Sequence, residues 1–321
     1  MGSQAVRGVR AYGAAQAARP VQRDGDAGSL AVHVPVLVDE VAFLLRPRQE
    51  GWVIDGTVGM GGHAAALLHG TDARVRLLGL DVDPEALARA GERLAPFGAR
   101  ARLERASFRD LEAIAGRVDV VTAQSVLLDL GISSYQLDES GRGFSFQGDE
   151  PLDMRIDPSA GPRAADLLNA LPERELAQLL HEYGEERHAR RIARAIVRRR
   201  PLTTTTDLVA AVRSAVPRPA WPRRIHVATR TFLAVRMAVN DERDALREAL
   251  PAAADLLAVG GRLGVISFHS GEDRVVKQTF RLLAARGFTE LEPSPFTPSD
   301  DEVRANPRAR SAKLRVLERW A

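Results

Sequence analysis

The chain contains no cysteine. That excludes a disulfide scaffold, a thiolate zinc site and a cysteine nucleophile, and it fits a reducing, cytoplasmic setting. Lysine is nearly absent too: of 45 Lys+Arg, only Lys277 and Lys313 are lysine. Net charge is +3 while the pI is near 9.7, and arginine is the reason. Such a skew reflects codon composition more often than function, so global charge says little about a nucleic-acid partner. Aromatic residues are 5% of the chain, so stacking platforms for bases are scarce. No apolar run approaches the ~18 residues of a membrane span. Residues 1–30 are rich in Ala, Gly and Arg and lack the apolar stretch of a secretory signal. They read as a disordered tail, and no membrane partner is expected.

What is present is ordinary globular material. The 321 residues are 45% hydrophobic, enough for one large domain or two smaller ones. Apolar runs at Gly51–Ile54, Val75–Leu80, Ala101–Arg105, Ser125–Leu130 and Arg262–Phe268 read as buried parallel strands. Helical patterns lie between the early ones. Pro84–Leu94 is the clearest, with Asp83 as N-cap and Pro84 in its first turn. This alternation predicts a doubly wound α/β sheet. After Leu130 the rhythm breaks and mostly helical patterns follow. An inserted helical subdomain is expected over 136–228, with the sheet domain on 31–135 and 229–321. Thr231–Leu257 reads as one or two helices returning to the sheet. Phe288–Leu291 and Ala312–Glu318 read as a closing edge hairpin.

The stretch GWVIDGTVGMGGH, residues 51–63, places four glycines, at 56, 59, 61 and 62, directly after a strand. Strand, glycine turn and helix bring backbone close to a ligand. A P-loop is excluded because no Lys-[Ser/Thr] follows. Gly59-Met60-Gly61-Gly62-His63-Ala64 matches a dinucleotide fingerprint, with Asp81 as the later acid. A structural turn without ligand also fits. So does S-adenosyl-L-methionine, for which Asp55 before the glycines and Asp81 after the second strand provide two carboxylates. One can accept from an ammonium, the other from paired hydroxyls.

Longer motifs follow: DLGISSYQLD at 129–138, RGFSF at 142–146, PLDMR at 151–155, YGEER at 183–187, ATRTF at 228–232, SFHSGEDR at 267–274 and NPRARSAKLR at 306–315. With His33-Val34-Pro35-Val36-Leu37 and DGTVGMGGH, they make the chain resemble the bacterial 16S ribosomal RNA cytosine-N4 methyltransferases over about residues 31–319. Three local departures stand out: Val227 where the family has proline, Leu233 and Val235 in its Phe-Gln-Ala-Leu-Arg run, and Gly271 in its Ser-Leu-Glu-Asp run. The resemblance implies a Rossmann-like class I methyltransferase sheet. It implies cofactor contacts at Gly61, Gly62, His63, Asp81, Phe108, Asp129 and Gln136. It also implies 16S rRNA as partner, read within the small ribosomal subunit. The oligomeric state stays open, a dimer being one option.

Cytosine N4 is a poor nucleophile because its lone pair is delocalised into the ring, so an acceptor for its N–H must be placed beside it. Asp129 at the end of the fourth strand, or the Ser133–Ser134 pair, is the expected acceptor; Asp129 could instead only position the cofactor or cap the turn. His63 and His269 lack metal-ligand spacing, so no metal is expected. Arg187, Arg191, Arg194 and Arg198 fall on one helical face, extended by Arg199 and Arg200, and opposite Ala189, Ile192, Ala193 and Ile196. That face could meet phosphates or simply be solvated. Arg191, Arg198, Arg230, His269, Ser133 and Ser134 are the expected substrate contacts. Tyr135, Phe144, Phe146 and Trp221 are the candidates for stacking. A nicotinamide dehydrogenase and a non-catalytic RNA-binding protein remain the competing classes.

Overall fold

The computed structural model describes residues 35–321. The expected disordered tail at 1–30, and His33-Val34 of the opening motif, lie outside the described residues. Two compact units are present. The first comprises the described residues up to Gly131 together with Leu246–Ala321; the second is Ile132–Ala245.

The strands are β1 (Gly51–Asp55), β2 (Val75–Asp81), β3 (Ala101–Arg105), β4 (Ala123–Asp129), β5 (Leu257–Ser267), β6 (Phe288–Glu290) and β7 (Lys313–Arg319). The helices are α1 (Val38–Leu44), α2 (Gly62–Leu68), α3 (Pro84–Leu94), α4 (Leu111–Arg117), α5 (Ser134–Asp138), α6 (Ala164–Ala170), α7 (Glu173–Gly184), α8 (Ala189–Arg199), α9 (Thr205–Ala215), α10 (Thr229–Val239), α11 (Glu242–Asp255), α12 (Ser270–Leu283) and α13 (Asp300–Ala305). None is long and apolar enough to cross a membrane among the described residues.

All seven strands belong to the first unit, in the order β3-β2-β1-β4-β5-β7-β6. The first five are parallel; β7 runs antiparallel to both β5 and β6. The closing hairpin therefore enters with its second strand innermost. Because side chains alternate across a strand, each strand feeds two cores. Ile54, Leu78, Leu80, Val126 and Leu128 face α4, α11 and α12. Val53, Leu77 and Leu127 face α1, α2 and α3. Near-continuous apolar runs are what a sheet covered on both faces requires. Asp83 caps α3 as expected, its carboxylate accepting the Glu85 N–H at 3.1 Å.

Leu257, read from sequence as the end of a helix, instead begins β5 and pairs with Ala123. An apolar pattern cannot distinguish a buried helical end from a buried strand start. The second unit is also larger than the expected 136–228. Helix α10 packs on α7 so tightly that a Cβ on Gly184 would lie 2.5 Å from the Arg230 carbonyl oxygen. The expected helix 185–200 starts only at Ala189. Glu185 takes a left-handed conformation (φ 48°) that ends α7, and the Glu186 carboxylate accepts the His188 N–H at 2.8 Å.

Candidate functional site

The strand order reverses at β1, with β2 on one side and β4 on the other. Such a switch point opens a crevice at the carboxyl ends of the strands. Asp55, Asp81 and Asp129 are the last residues of β1, β2 and β4. The loop after β1 is tied to both neighbours. Gly56 N–H donates to the Leu127 carbonyl at 2.9 Å and Val58 N–H to the Leu80 carbonyl at 2.8 Å. The Asp81 carboxylate accepts from Gly59 N–H and from Asp83 N–H, both at 2.9 Å. Thr57 joins the other two acids: its N–H donates to Asp55 at 3.2 Å and its hydroxyl accepts the Asp129 N–H at 2.6 Å. Sequence reasoning passed over Thr57; a hydroxyl two residues beyond a strand-end Asp was its only signal.

The glycines also have a packing use. Gly61 stands at φ 79° as the N-cap of α2, and a Cβ there would lie 3.3 Å from the Ala90 Cα. A Cβ on Gly62 would lie 2.3 Å from the Pro35 side chain. Gly61 N–H donates to the Val58 carbonyl at 2.8 Å, so it is spent within the loop. These glycines seat α2 against α3 and Pro35, and thereby set the position of His63 in its first turn.

His63 is buried, with Nε2 3.4 Å from Asp129 Oδ2. That separation is longer than a well-made hydrogen bond. Both ring nitrogens of His63 and Asp129 Oδ1 are buried and have no hydrogen-bond partner within the protein. Buried polar atoms left so are costly, and they mark where a ligand's polar groups belong. Burial pushes the Asp55 carboxyl up to about 7, against attraction from His63, with Asp129 and Asp81 adding repulsion. Burial likewise pushes Asp81 up to about 6, opposed by its backbone hydrogen bonds. Asp81 keeps some solvent contact, so screening makes the effect firmer for Asp55.

A stability consequence follows for the ligand-free protein. The unfolded chain releases these protons near the ordinary carboxylate value of 3.8, the folded chain only near 6 to 7. Between those limits the folded state binds more protons, so stability is fullest below about pH 4 for these groups and falls as pH rises to 7. Asp55→Asn is expected to flatten that slope and raise stability at pH 7.5 by roughly 1–3 kcal/mol. Urea unfolding at pH 5 and pH 7.5 measures it; an unchanged slope would show that Asp55 is ionised throughout.

The other expected site residues divide. Phe108 follows β3 in a short helical turn, half-buried, where a Cβ on Gly56 would lie 3.2 Å from its own Cβ. Ser133, Ser134 and Gln136 belong to the second unit. There Ser133 and Gln136 form a capping box: Gln136 N–H donates to Ser133 Oγ at 3.2 Å and Ser133 N–H to Gln136 Oε1 at 2.9 Å. The spacing Ser-x-x-Gln could have signalled this. Ser134 is half-buried as the first residue of α5. His269 caps α12, Nδ1 accepting from Gly271 N–H at 3.2 Å and Glu272 N–H at 3.4 Å. A Cβ on Gly271 would lie 3.1 Å from that imidazole. Val227 is buried in the helical core.

Arg187, Arg191, Arg194 and Arg198 are exposed, while Ala189, Ile192, Ala193 and Ile196 are buried. Arg194 pairs with Glu173 at 3.3 Å. Arg200 does not extend the face. Its guanidinium donates to the Leu168 carbonyl at 2.9 Å and to the Leu171 carbonyl, fastening the end of α6. Arg230 is half-buried and reaches the Glu185 carbonyl at 3.4 Å. Of the stacking candidates, Phe144 is core, and Trp221 carries the guanidiniums of Arg213 and Arg218 at 5.3 Å from its ring. Phe146 stacks on His226 at 4.7 Å.

The sequence matches the MraW methylase family over residues 30–320. The ribosomal RNA small subunit methyltransferase H of Heliobacterium modesticaldum is 49% identical over 308 residues, covering 89% of this chain and 98% of that protein. The protein of the same name from Syntrophotalea carbinolica is 49% identical over 306 residues, with the same coverage. Among solved structures, an rRNA methylase from Streptococcus thermophilus aligns over 88% of this chain and 94% of its own at 14% identity and a TM-score of 0.41, too distant to assign anything here. The matched span takes in the strand-end acids, the glycine loop and the whole helical unit, and by it the chain belongs to the MraW methylase family.

Proposed function

We propose that the protein transfers a methyl group from S-adenosyl-L-methionine to the N4 amino group of a cytosine in the decoding region of 16S rRNA, acting on the small ribosomal subunit in the cytoplasm. The observation that carries this reading is the buried His63 imidazole beside the strand-end carboxylates of Asp55 and Asp129, with both ring nitrogens and Asp129 Oδ1 unbonded and Asp81 ending the next strand. The residues fit a ligand bearing an ammonium, a sulfonium and paired hydroxyls. Asp81 keeps a second lone pair on each oxygen for ribose hydroxyls, and cationic groups would draw the buried carboxyls back to their ionised form. The Phe108 ring offers an apolar face for adenine, and the Gly61–His63 turn, Asp129 and Gln136 complete the expected contacts. When bound, the cofactor supplies an electrophilic methyl on positively charged sulfur.

The N4 lone pair forms the new C–N bond as the methyl–sulfur bond breaks, its electrons remaining on sulfur. N4 then gives up a proton, and Asp129 accepts it. The target base must leave its stack to present N4, which assigns the helical unit, 132–245, the work of holding RNA. Exposed Arg191 and Arg198 are suited to phosphates, Arg230 and Ser133–Ser134 to closer contacts, and His269, already engaged as a cap, to holding the adjacent loop.

The experiment is to incubate the protein with labelled S-adenosylmethionine and small subunits lacking the modification, then map the methylated nucleoside. Label on cytosine N4 is expected; binding of nicotinamide but not of S-adenosylmethionine would overturn the assignment. Arg191→Glu with Arg198→Glu is expected to raise KM for subunits by roughly tenfold or more and to reduce the salt dependence, leaving cofactor affinity unchanged. Unaltered methylation kinetics would remove this face from RNA binding.

A further inference from the structure

The close-packed glycines, His63 and Asp129 form one mechanical chain. Gly61 and Gly62 press α2 onto Ala90 and Pro35, so the first turn carrying His63 has little freedom. The Asp129 backbone is held by the Thr57 hydroxyl at 2.6 Å. What remains to be fixed is the Asp129 carboxylate, and the group beside it is His63 Nε2, 3.4 Å from Oδ2. We propose that His63 is a positioning residue for methyl transfer: its Nε2, 3.4 Å from Oδ2 of Asp129 and without a hydrogen-bond partner of its own, closes onto that oxygen and so aims the unbonded Oδ1 at the incoming amine. This rests on the reading of Asp129 as the proton acceptor.

The surroundings favour imidazole as donor rather than acceptor. Asp55 at the end of β1, Asp129 at the end of β4 and Glu302 on α13 all act on His63 electrostatically, and each is an acid. A neutral ring with its proton on Nε2 and an imidazolium both donate to Oδ2, so the arrangement needs no change of charge on His63. A carboxylate without that partner would turn between rotamers. It would then present Oδ1 to the amine for only part of the time, a loss of orientation paid in rate and not in cofactor affinity.

The test compares wild type, His63→Ala, His63→Gln, Asp129→Asn and the His63→Ala/Asp129→Asn double variant. Cofactor affinity is measured by calorimetry, and single-turnover methylation on small subunits lacking the modification. In His63→Ala the rate should fall by about 10- to 100-fold, clearly more than cofactor affinity falls, since His63 also belongs to the cofactor-contact turn, and the cofactor binding that persists shows that the variant is folded. His63→Gln, with an amide donor, should recover much of the rate. The double variant should be no slower than Asp129→Asn, because the two residues act as a unit. Independently of activity, histidine 15N spectra should show the His63 proton on Nε2, with a shift that moves in Asp129→Asn. Equal losses of rate and affinity in His63→Ala, additive losses in the double variant, or an Nε2 without a proton would overturn the inference alone. Full activity in Asp129→Asn would overturn the acceptor reading and this inference with it.

Discussion

Asp129→Asn is expected to slow methyl transfer by about 10²- to 10⁴-fold while leaving cofactor affinity within a few-fold. The asparagine amide matches the carboxylate in shape, and the main chain stays anchored by Asp129 N–H on the Thr57 hydroxyl at 2.6 Å. What is lost is a group that can take up a proton. The N4 nitrogen becomes strongly acidic as it accepts the methyl, so an acceptor already in place stabilises the transition state and not the ground state. Single-turnover rates and calorimetric affinity, measured on the same preparation, separate the two. Equal losses would instead make Asp129 a cofactor-positioning group.

The second large effect concerns binding. Asp81→Ala is expected to weaken S-adenosylmethionine by about 10²- to 10³-fold, the loss of two hydrogen bonds from hydroxyls to a charged acceptor. It also strands the N–H groups of Gly59 and Asp83, each now bonded to this carboxylate at 2.9 Å. Roughly 1–3 kcal/mol of stability should go with each of them that is left buried. Asp81→Asn retains one acceptor oxygen and should lose less of both. Because burial holds the Asp81 carboxyl near 6 and Asp55 near 7, wild-type affinity should also weaken as pH falls from 7.5 to 5.5, where those carboxyls take up protons. Calorimetric titrations across that range, with urea unfolding of each variant, provide the check. Unchanged affinity in Asp81→Ala would take the ribose away from this residue.

Strand-end acids were legible because their signal is local. A buried strand reads as an apolar run, and a charged residue at its end must emerge at the sheet edge, as Asp55, Asp81 and Asp129 do. Helix α8 was legible for the same reason: Ala189, Ile192, Ala193 and Ile196 repeat at helical spacing and are its buried side. Residues whose partners are distant in sequence were not. Arg200 looked like one more surface charge, yet it bonds carbonyls 29 and 32 residues away. Helix α10 looked like a return to the sheet, but Gly184, far upstream, leaves the gap it fills.

By itself the sequence determined the alternating α/β plan, the three carboxylates at strand ends, the helical insertion and the amphipathic arginine helix, because each depends on spacing within a few residues. The tertiary structure decided what long-range packing alone can decide. It placed β7 between β5 and β6. It placed Gly61 and Gly62 at close helix packing. It made His269 and Gln136 caps. It also set His63 against Asp129, two residues 66 apart in the chain that meet at 3.4 Å because β1 and β4 are neighbours in the sheet.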